Sequence, residues 1–146
     1  MMNVRLATEN DVEQVAAIVK KYRTFYEVSN QDEDEIKSFI KERLVKSESK
    51  IFIAEDKEGV VGFIQLYPSF STVSLKRQWI LNDFYVEQTE REQGIGTELM
   101  NAVTEHFKDK AKGFLLVTDK TNAVAKQFYS NYGWKTDEYD IYTYYY

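Results

Sequence analysis

The hydrophobic periods along this chain predict one domain, residues 1–146, of the α/β (α+β) class. The expected architecture is a mixed, mostly antiparallel sheet flanked by about four helices. Three observations carry this. Segments of period two alternate with segments of period 3.6. Two period-two segments in the middle are joined only by Lys57-Glu58-Gly59, a hairpin signal. No linker, repeat or low-complexity tract divides the 146 residues, a length sufficient for a single substantial core.

Each element follows in order. A strand is expected over 4–8, then a helix over about 9–26 with Val12, Val15, Ile18, Val19 and Tyr22 on one stripe. A second helix, about 32–46, turns Ile36, Phe39, Ile40 and Leu44 inward. The acidic run Asp32 to Glu35 suits a helix start, where carboxylates meet the positive end of the dipole; attraction of a polyamine or basic peptide is the other reading. Strands are expected at about 50–55 and 60–67, then a loop from Pro68, the one proline, to Arg77. A strand over 78–86, a helix over 95–109, a strand over 113–118 and a helix over 122–131 follow, with two closing strands. In the last of these, Tyr142, Tyr144 and Tyr146 alternate onto one face, which fits core or dimer packing.

Composition removes several classes of function. Without cysteine there is no disulfide scaffold, thiolate metal site or cysteine nucleophile, and no metal is expected. The net charge of −5 disfavours a nucleic-acid surface. No stretch is long and apolar enough to span a membrane, and the start lacks the cationic and apolar regions of a signal peptide. The expectation is a cytoplasmic enzyme, monomer or homodimer. His106 is read as a solvated residue on a polar helix face.

The most informative stretch runs from Trp79 to Thr97, WILNDFYVEQTEREQGIGT. A run of β-formers ends at Val86, and a helical period (Leu99, Val103, Phe107) begins at Thr97. Between them lie Arg91, Glu92, Gln93, Gly94, Ile95 and Gly96. A strand passing through a tight turn into a helix N-terminus is an anion site, because the first-turn amides lack intrahelical partners and the dipole favours negative charge. Gly94 and Gly96 remove side chains that would hold a diphosphate away, and Arg91 can add a charge-assisted contact. No Lys-Ser/Thr pair follows the glycines, which excludes a P-loop, and Leu99 stands where a dinucleotide fingerprint needs its third small residue.

What remains, Arg-x-x-Gly-x-Gly after a strand, resembles the pyrophosphate loop of the GNAT superfamily of acyl-CoA-dependent N-acetyltransferases. A second segment strengthens the resemblance. Asn122, Ala125, Phe128, Tyr129 and Gly133 match the family's Asn-x-x-Ala-x-x-Phe-Tyr-x-x-x-Gly-Phe, with Trp134 replacing the final phenylalanine. Locally, Asn122 is read as a helix cap and Gly133 as a left-handed helix end. The resemblance covers the whole chain, and within the central segment it is nearest to the small-amine and polyamine acetyltransferases.

The resemblance implies acetyl-CoA as co-substrate and central strands that splay apart to admit its pantetheine arm. Phe84 and Val86 would meet that arm through their backbones, the loop from Arg91 to Thr97 would hold the diphosphate, and Asn122 would bond pantetheine. Lys126 is either a phosphate contact or a surface lysine. Tyr129 is implied as the general acid for the coenzyme A sulfur, against packing alone.

The amine must lose a proton, which costs about 4–5 kcal/mol for a lysine-like amine at pH 7 and about 1–1.5 kcal/mol for an α-amine. Asn82 and Asp83 are expected on opposite faces of their strand. The polyamine enzymes carry Glu-Asp here; Asn82 cannot act as a base, which leaves Asp83 or a water held by Asn82. Asp83 as a strand-end structural carboxylate is the alternative. The hydroxyl-rich segment from Tyr67 to Arg77 would hold a substrate carboxylate, with Arg77 as clamp or, otherwise, as a surface arginine. The expected reaction is acetyl transfer to the primary amine of a small molecule by direct attack in a ternary complex, since no cysteine offers an acyl-enzyme route. Acetylation of protein N-termini or lysines, and a non-catalytic acyl-CoA-binding module, are the competing readings.

Overall fold

The computed structural model describes residues 2–136 and 138–146. Strand β1 (Asn3–Leu6) leads through a 3-10 turn (Glu9–Asp11) into α1 (Val12–Phe25), followed by α2 (Glu33–Val45). Strands β2 (Lys50–Asp56), β3 (Gly59–Ser71) and β4 (Lys76–Val86) come next, then a 3-10 turn (Gln88–Glu90), α3 (Ile95–Phe107), β5 (Phe114–Leu116) and α4 (Ala123–Tyr132). The sheet order is β1-β2-β3-β4-β5, antiparallel except for the parallel β4–β5 pair. This is the mixed, mostly antiparallel sheet with four helices that the sequence predicts.

The sheet is buried on both faces, and strand alternation decides which side chain goes where. Phe52, Ala54, Ile64, Leu66, Trp79 and Leu81 pack with Ile95, Leu99, Met100, Val103 and Phe107 of α3. Ile51, Ile53 and Phe63 point the other way, against Val15, Ile18, Ile36 and Ile40 of α1 and α2. Fully burying side chains of this size contributes about 1.5–3 kcal/mol each.

Two features of the sheet build the site. The β4–β5 ladder stops at Leu81↔Leu116, so Asn82 to Val86 have no strand beside them on that side among the described residues, and the central strands splay. The β3–β4 register also shifts: Gln65 pairs with Asp83 while Leu66 pairs with Leu81, leaving Asn82 as the extra residue of a β-bulge.

Three expectations change. The segment expected as a loop over 68–77 is a hairpin, with Pro68 opposite Trp79 and Phe70 opposite Arg77. Pro68 is tolerated because β2–β3 pairing ends at Leu66, so its missing N–H faces no strand. No closing strand is present among the described residues after α4, and Tyr142, Tyr144 and Tyr146 are exposed rather than in the core. His106 is half-buried, edge-on to Phe52 and Phe107 at ring distances of 5.5 and 4.8 Å, and that burial lowers its pKa.

Candidate active site

The turn between β4 and α3 has the geometry of an anion cradle. Gly94 caps α3 in the left-handed conformation (φ 81°), and a side chain there would meet nothing within 4 Å. The first helical bond runs from Glu98 N to Gly94 O, which leaves the amides of Ile95, Gly96 and Thr97 without intrahelical acceptors. At Gly96 a Cβ would lie 3.2 Å from the Phe84 ring and 3.4 Å from Phe128, so glycine is also needed for packing. It lets α3 approach β4 and α4. Arg91 braces the turn, its Nε donating to Val86 O at 2.9 Å and its guanidinium lying 5.4 Å from the Tyr85 ring and 5.6 Å from that of Phe25. Glu92 (φ 68°) is also left-handed, while Gln93 Nε2 reaches Thr89 O at 3.4 Å.

Helix α4 stands beside the splay. Asn122 caps it, Oδ1 accepting from Ala125 N at 3.0 Å, and Gly133 ends it at φ 117°. Lys126 is exposed and donates to Lys120 O at 3.3 Å. Phe84 points to this side, its ring 5.3 Å from Phe128 and 6.3 Å from Tyr129. Tyr129 also packs on Trp134 at 5.7 Å. Burial, with a smaller contribution from Tyr26, pushes the Tyr129 hydroxyl up to about 12, so it keeps its proton throughout the neutral range.

On the opposite face of the sheet, under α1 and α2, lies a cavity of about 340 Å³. Its apolar wall includes Ile36, Phe39 and Phe63; its polar groups include Gln65, Asp83, Asn82 and Tyr67. Such a volume suits a small molecule. Asn82 and Asp83 were expected on opposite faces; the bulge brings both to this cavity, where Asn82 Nδ2 donates to both Asp83 oxygens at 3.1 Å. Gln65 Nε2 donates to Asp83 Oδ2 at 3.0 Å. Tyr22 lies beside the same carboxylate, and burial followed by the Asp83 charge raises its pKa far above the phenol range. For Tyr67 the same two causes push the hydroxyl up to about 12.

Two cavity groups, Gln65 and Arg23, escaped the sequence reading. Gln65 is 3% exposed, and its Oε1 is buried without a hydrogen-bond partner among the described residues. An alternating strand shows nothing at Gln65 beyond one polar residue among apolar ones; that break was the available signal. Glu35 lines the cavity even though its neighbour Asp32 caps α2, accepting from Asp34 N and Glu35 N. The helix-start reading of the acidic run therefore holds for Asp32, while Glu35 also faces the cavity. Arg23 of α1 is the arginine on the cavity wall. Arg77 is not: its guanidinium lies over Phe70 at 4.4 Å and Trp79 at 5.6 Å, outside the cavity lining. A larger hollow of about 460 Å³ between β1 and the end of α2 contains none of the expected site residues. Among the described residues no cluster of His, Asp and Glu could hold a metal ion, and no helix is long and apolar enough to cross a membrane.

The chain was compared with known proteins. The family model of the acetyltransferase (GNAT) domain matches residues 47–136. The uncharacterized N-acetyltransferase YhfO of Bacillus subtilis (strain 168) is 38% identical over 137 residues, covering 93% of this chain and 91% of that protein. The crystal structure of a probable acetyltransferase superposes with a TM-score of 0.89 at 34% identity, covering 97% of this chain and 95% of that one. A predicted acetyltransferase with acetyl-CoA from Clostridium acetobutylicum shares the fold at a TM-score of 0.79 and 23% identity, covering 98% and 96% of the two chains. With the family model spanning more than half of its length and a 38% identical relative spanning nearly all of it, the chain belongs to the GNAT family and is an acetyltransferase.

Proposed function

We propose that this acetyltransferase moves the acetyl group of acetyl-CoA to the primary amine of a small molecule held in the cavity between α1, α2 and the sheet. The observation that carries the proposal is the pairing of the Asp83 carboxylate with the unpartnered Gln65 Oε1 in a cavity of about 340 Å³. Together they offer an ammonium or amine two acceptors on one side. The volume favours a small acceptor over a protein segment.

Acetyl-CoA supplies a thioester, and the cradle fits its diphosphate. The amides of Ile95, Gly96 and Thr97 lack intrahelical acceptors beside the open space at Gly94, and the edge of β4 from Asn82 to Val86, with no strand beside it among the described residues, can bond an extended arm as an added strand would. Phe84 and Val86 would present that edge. Asn122 retains its Nδ2 donors for the same arm, and Lys126 would reach the phosphates. Arg91 acts by holding the turn, with left-handed Glu92 and the bond from Gln93 to Thr89 O setting its course; Ala125 keeps the start of α4 slim. The acceptor loses a proton to Asp83, directly or through water held by Asn82. Bond formation from nitrogen to the acetyl carbon expels the thiolate, and Tyr129, protonated at neutral pH, returns a proton to sulfur.

Arg23 takes the carboxylate-holding role first read for Arg77, and Glu35 at the rim favours a cation. A zwitterionic amino acid or a small amine satisfies both. The test is a panel of amino acids, their decarboxylated amines and polyamines, incubated with acetyl-CoA while released thiol is followed. Turnover of a small amine supports the reading; acetylation of peptides alone would replace it.

A further inference from the structure

The hairpin between β3 and β4 ends in a tip that the core does not use. Phe70, Val73 and Leu75 are 67%, 98% and 86% exposed there. Single apolar side chains on a surface need no explanation, but three around one turn make a patch. The turn itself is held, Ser71 Oγ accepting from Ser74 N at 3.2 Å. Leu75 takes the left-handed conformation at φ 56°, where glycine or asparagine is the ordinary choice. A leucine there strains the backbone, and its exposed side chain gains no packing.

Positive charge gathers at the same end. From Leu66 to Asn82 the chain has no acid, while Lys76 and Arg77 open β4. The connection after α3 runs alongside: Lys112 N donates to Arg77 O at 2.7 Å, and Lys112 Nζ donates to Ser74 Oγ at 3.0 Å. That connection adds Lys108, Lys110 and Lys112 against Asp109 alone. None of these five cations enters an ion pair among the described residues. On a chain of net charge −5, this is a local reversal of sign.

We propose that the hairpin tip seats the protein on an anionic lipid surface, with Val73 and Leu75 entering the headgroup layer and Lys76, Lys108, Lys110 and Lys112 meeting lipid phosphates around them. Both parts contribute, because interfacial binding grows with the apolar area inserted and with attraction to anionic lipids. The shape selects a bilayer over other anions. A nucleic acid is met by hydrogen-bond donors at the point of closest approach, and here that point is aliphatic. An acidic protein segment would need a groove or a sheet edge, whereas Val73 stands on a projecting turn. β4 leads from Lys76 at the tip to Val86 before the phosphate turn, so the anion cradle stays roughly 30 Å from the lipid.

The test uses the full chain and two kinds of vesicle, phosphatidylcholine alone and phosphatidylcholine with phosphatidylglycerol in equal parts. Wild type should sediment with the anionic vesicles only, and less of it as salt rises. Val73→Ser with Leu75→Asn, which suits the left-handed turn, should weaken binding roughly tenfold or more while circular dichroism stays native. Lys76→Glu with Lys110→Glu should weaken it as much. Since the chain has no cysteine, Val73→Cys can carry a fluorophore, as can Ser29→Cys in the connection after Phe25, whose ring meets Arg91. Spin-labelled lipid should quench the first and leave the second bright, a readout that stands even if the paired variants fail to fold. No sedimentation of wild type, equal binding by the serine–asparagine variant, equal quenching at both positions, or a preference for duplex DNA over the vesicles would each overturn the proposal. A wild-type dimer that the serine–asparagine variant dissolves, in place of vesicle binding, would give the tip to a second copy and overturn it too.

Discussion

At the scale of single residues, the proposed acceptor end turns on which atoms around Asp83 are already bonded. Asn82 and Gln65 donate to the carboxylate, and the proposed function assigns Gln65 Oε1, without a partner among the described residues, to the ligand. Gln65→Leu removes that acceptor together with a hydrogen bond to a charged group, worth about 1.5–3 kcal/mol. The KM for the amine is expected to rise roughly 10- to 150-fold, with the KM for acetyl-CoA unchanged; equal effects on both substrates would place Gln65 outside acceptor binding. Tyr129→Phe keeps the ring that packs on Phe84 and Trp134 and removes the proton donor. Its kcat should fall roughly 10²-fold or more with cofactor affinity intact. Because burial holds Tyr129 at about 12, the defect should be constant from pH 6 to 9; a defect that appears only at one end of that window would assign the proton to another group. Asp83 and Tyr129 were legible in the sequence as parts of motifs. Gln65 and Arg23 were not, since neither lies in one and only the packing of α1 and α2 over β3 gives them a common cavity.

Elements show where local rules suffice and where context overrides them. The caps at Asp32, Asn122 and Gly133 and the left-handed turn at Gly94 stand where their residue types require. The hairpin over 68–77 did not announce itself, because proline and hydroxyl residues favour loops. Cross-strand stacking of Arg77 on Phe70, and the end of β2–β3 pairing before Pro68, make a strand acceptable there. The bulge at Asn82 depends on β3, so alternation counted along β4 alone misplaced that side chain. For the phosphate turn, Gly94→Asp puts a carboxylate into the open space at the α3 amides. Calorimetric titration with coenzyme A should show affinity lost by at least tenfold while circular dichroism stays native. Native affinity in the folded variant would remove the diphosphate from this turn.

For the molecule as a whole, the first strand, the start of α1 and β2 are tied by Arg5, which bonds Asp11 at 2.8 Å and also reaches Glu55. The guanidinium holds the largely buried Asp11 carboxyl at about 2, below its ordinary 3.8. A carboxylate depressed in the folded state stabilises it above the unfolded pKa and loses that contribution as pH falls through the folded one. The contribution, about 2.5 kcal/mol at most, is therefore full above pH 5 and disappears between about pH 4 and 2. Asp11→Asn should lower the denaturation midpoint at pH 7 and leave it almost unchanged near pH 2; equal losses at both would assign the effect to packing. The mixed, mostly antiparallel sheet and the inward faces of α1 and α3 agree with the sequence reading because each rests on long periodic segments, while the splay was an implication of the family resemblance and Phe39, read as inward, is 48% exposed. The two closing strands are the exception, since alternation of residue types alone does not supply the neighbour that makes a strand, and none is present after α4 among the described residues.

The central claim, acetyl transfer to a small primary amine held at Asp83, is tested most directly by the initial rate of thiol release from acetyl-CoA. Wild type and Asp83→Asn would be measured over the panel of amino acids, amines and polyamines. The account predicts acceptor-dependent release for at least one small amine, reduced 10²-fold or more in Asp83→Asn with the KM for acetyl-CoA retained. Acceptor-dependent release that proceeds at the wild-type rate in the folded Asp83→Asn variant, or that occurs only with peptides, would contradict it.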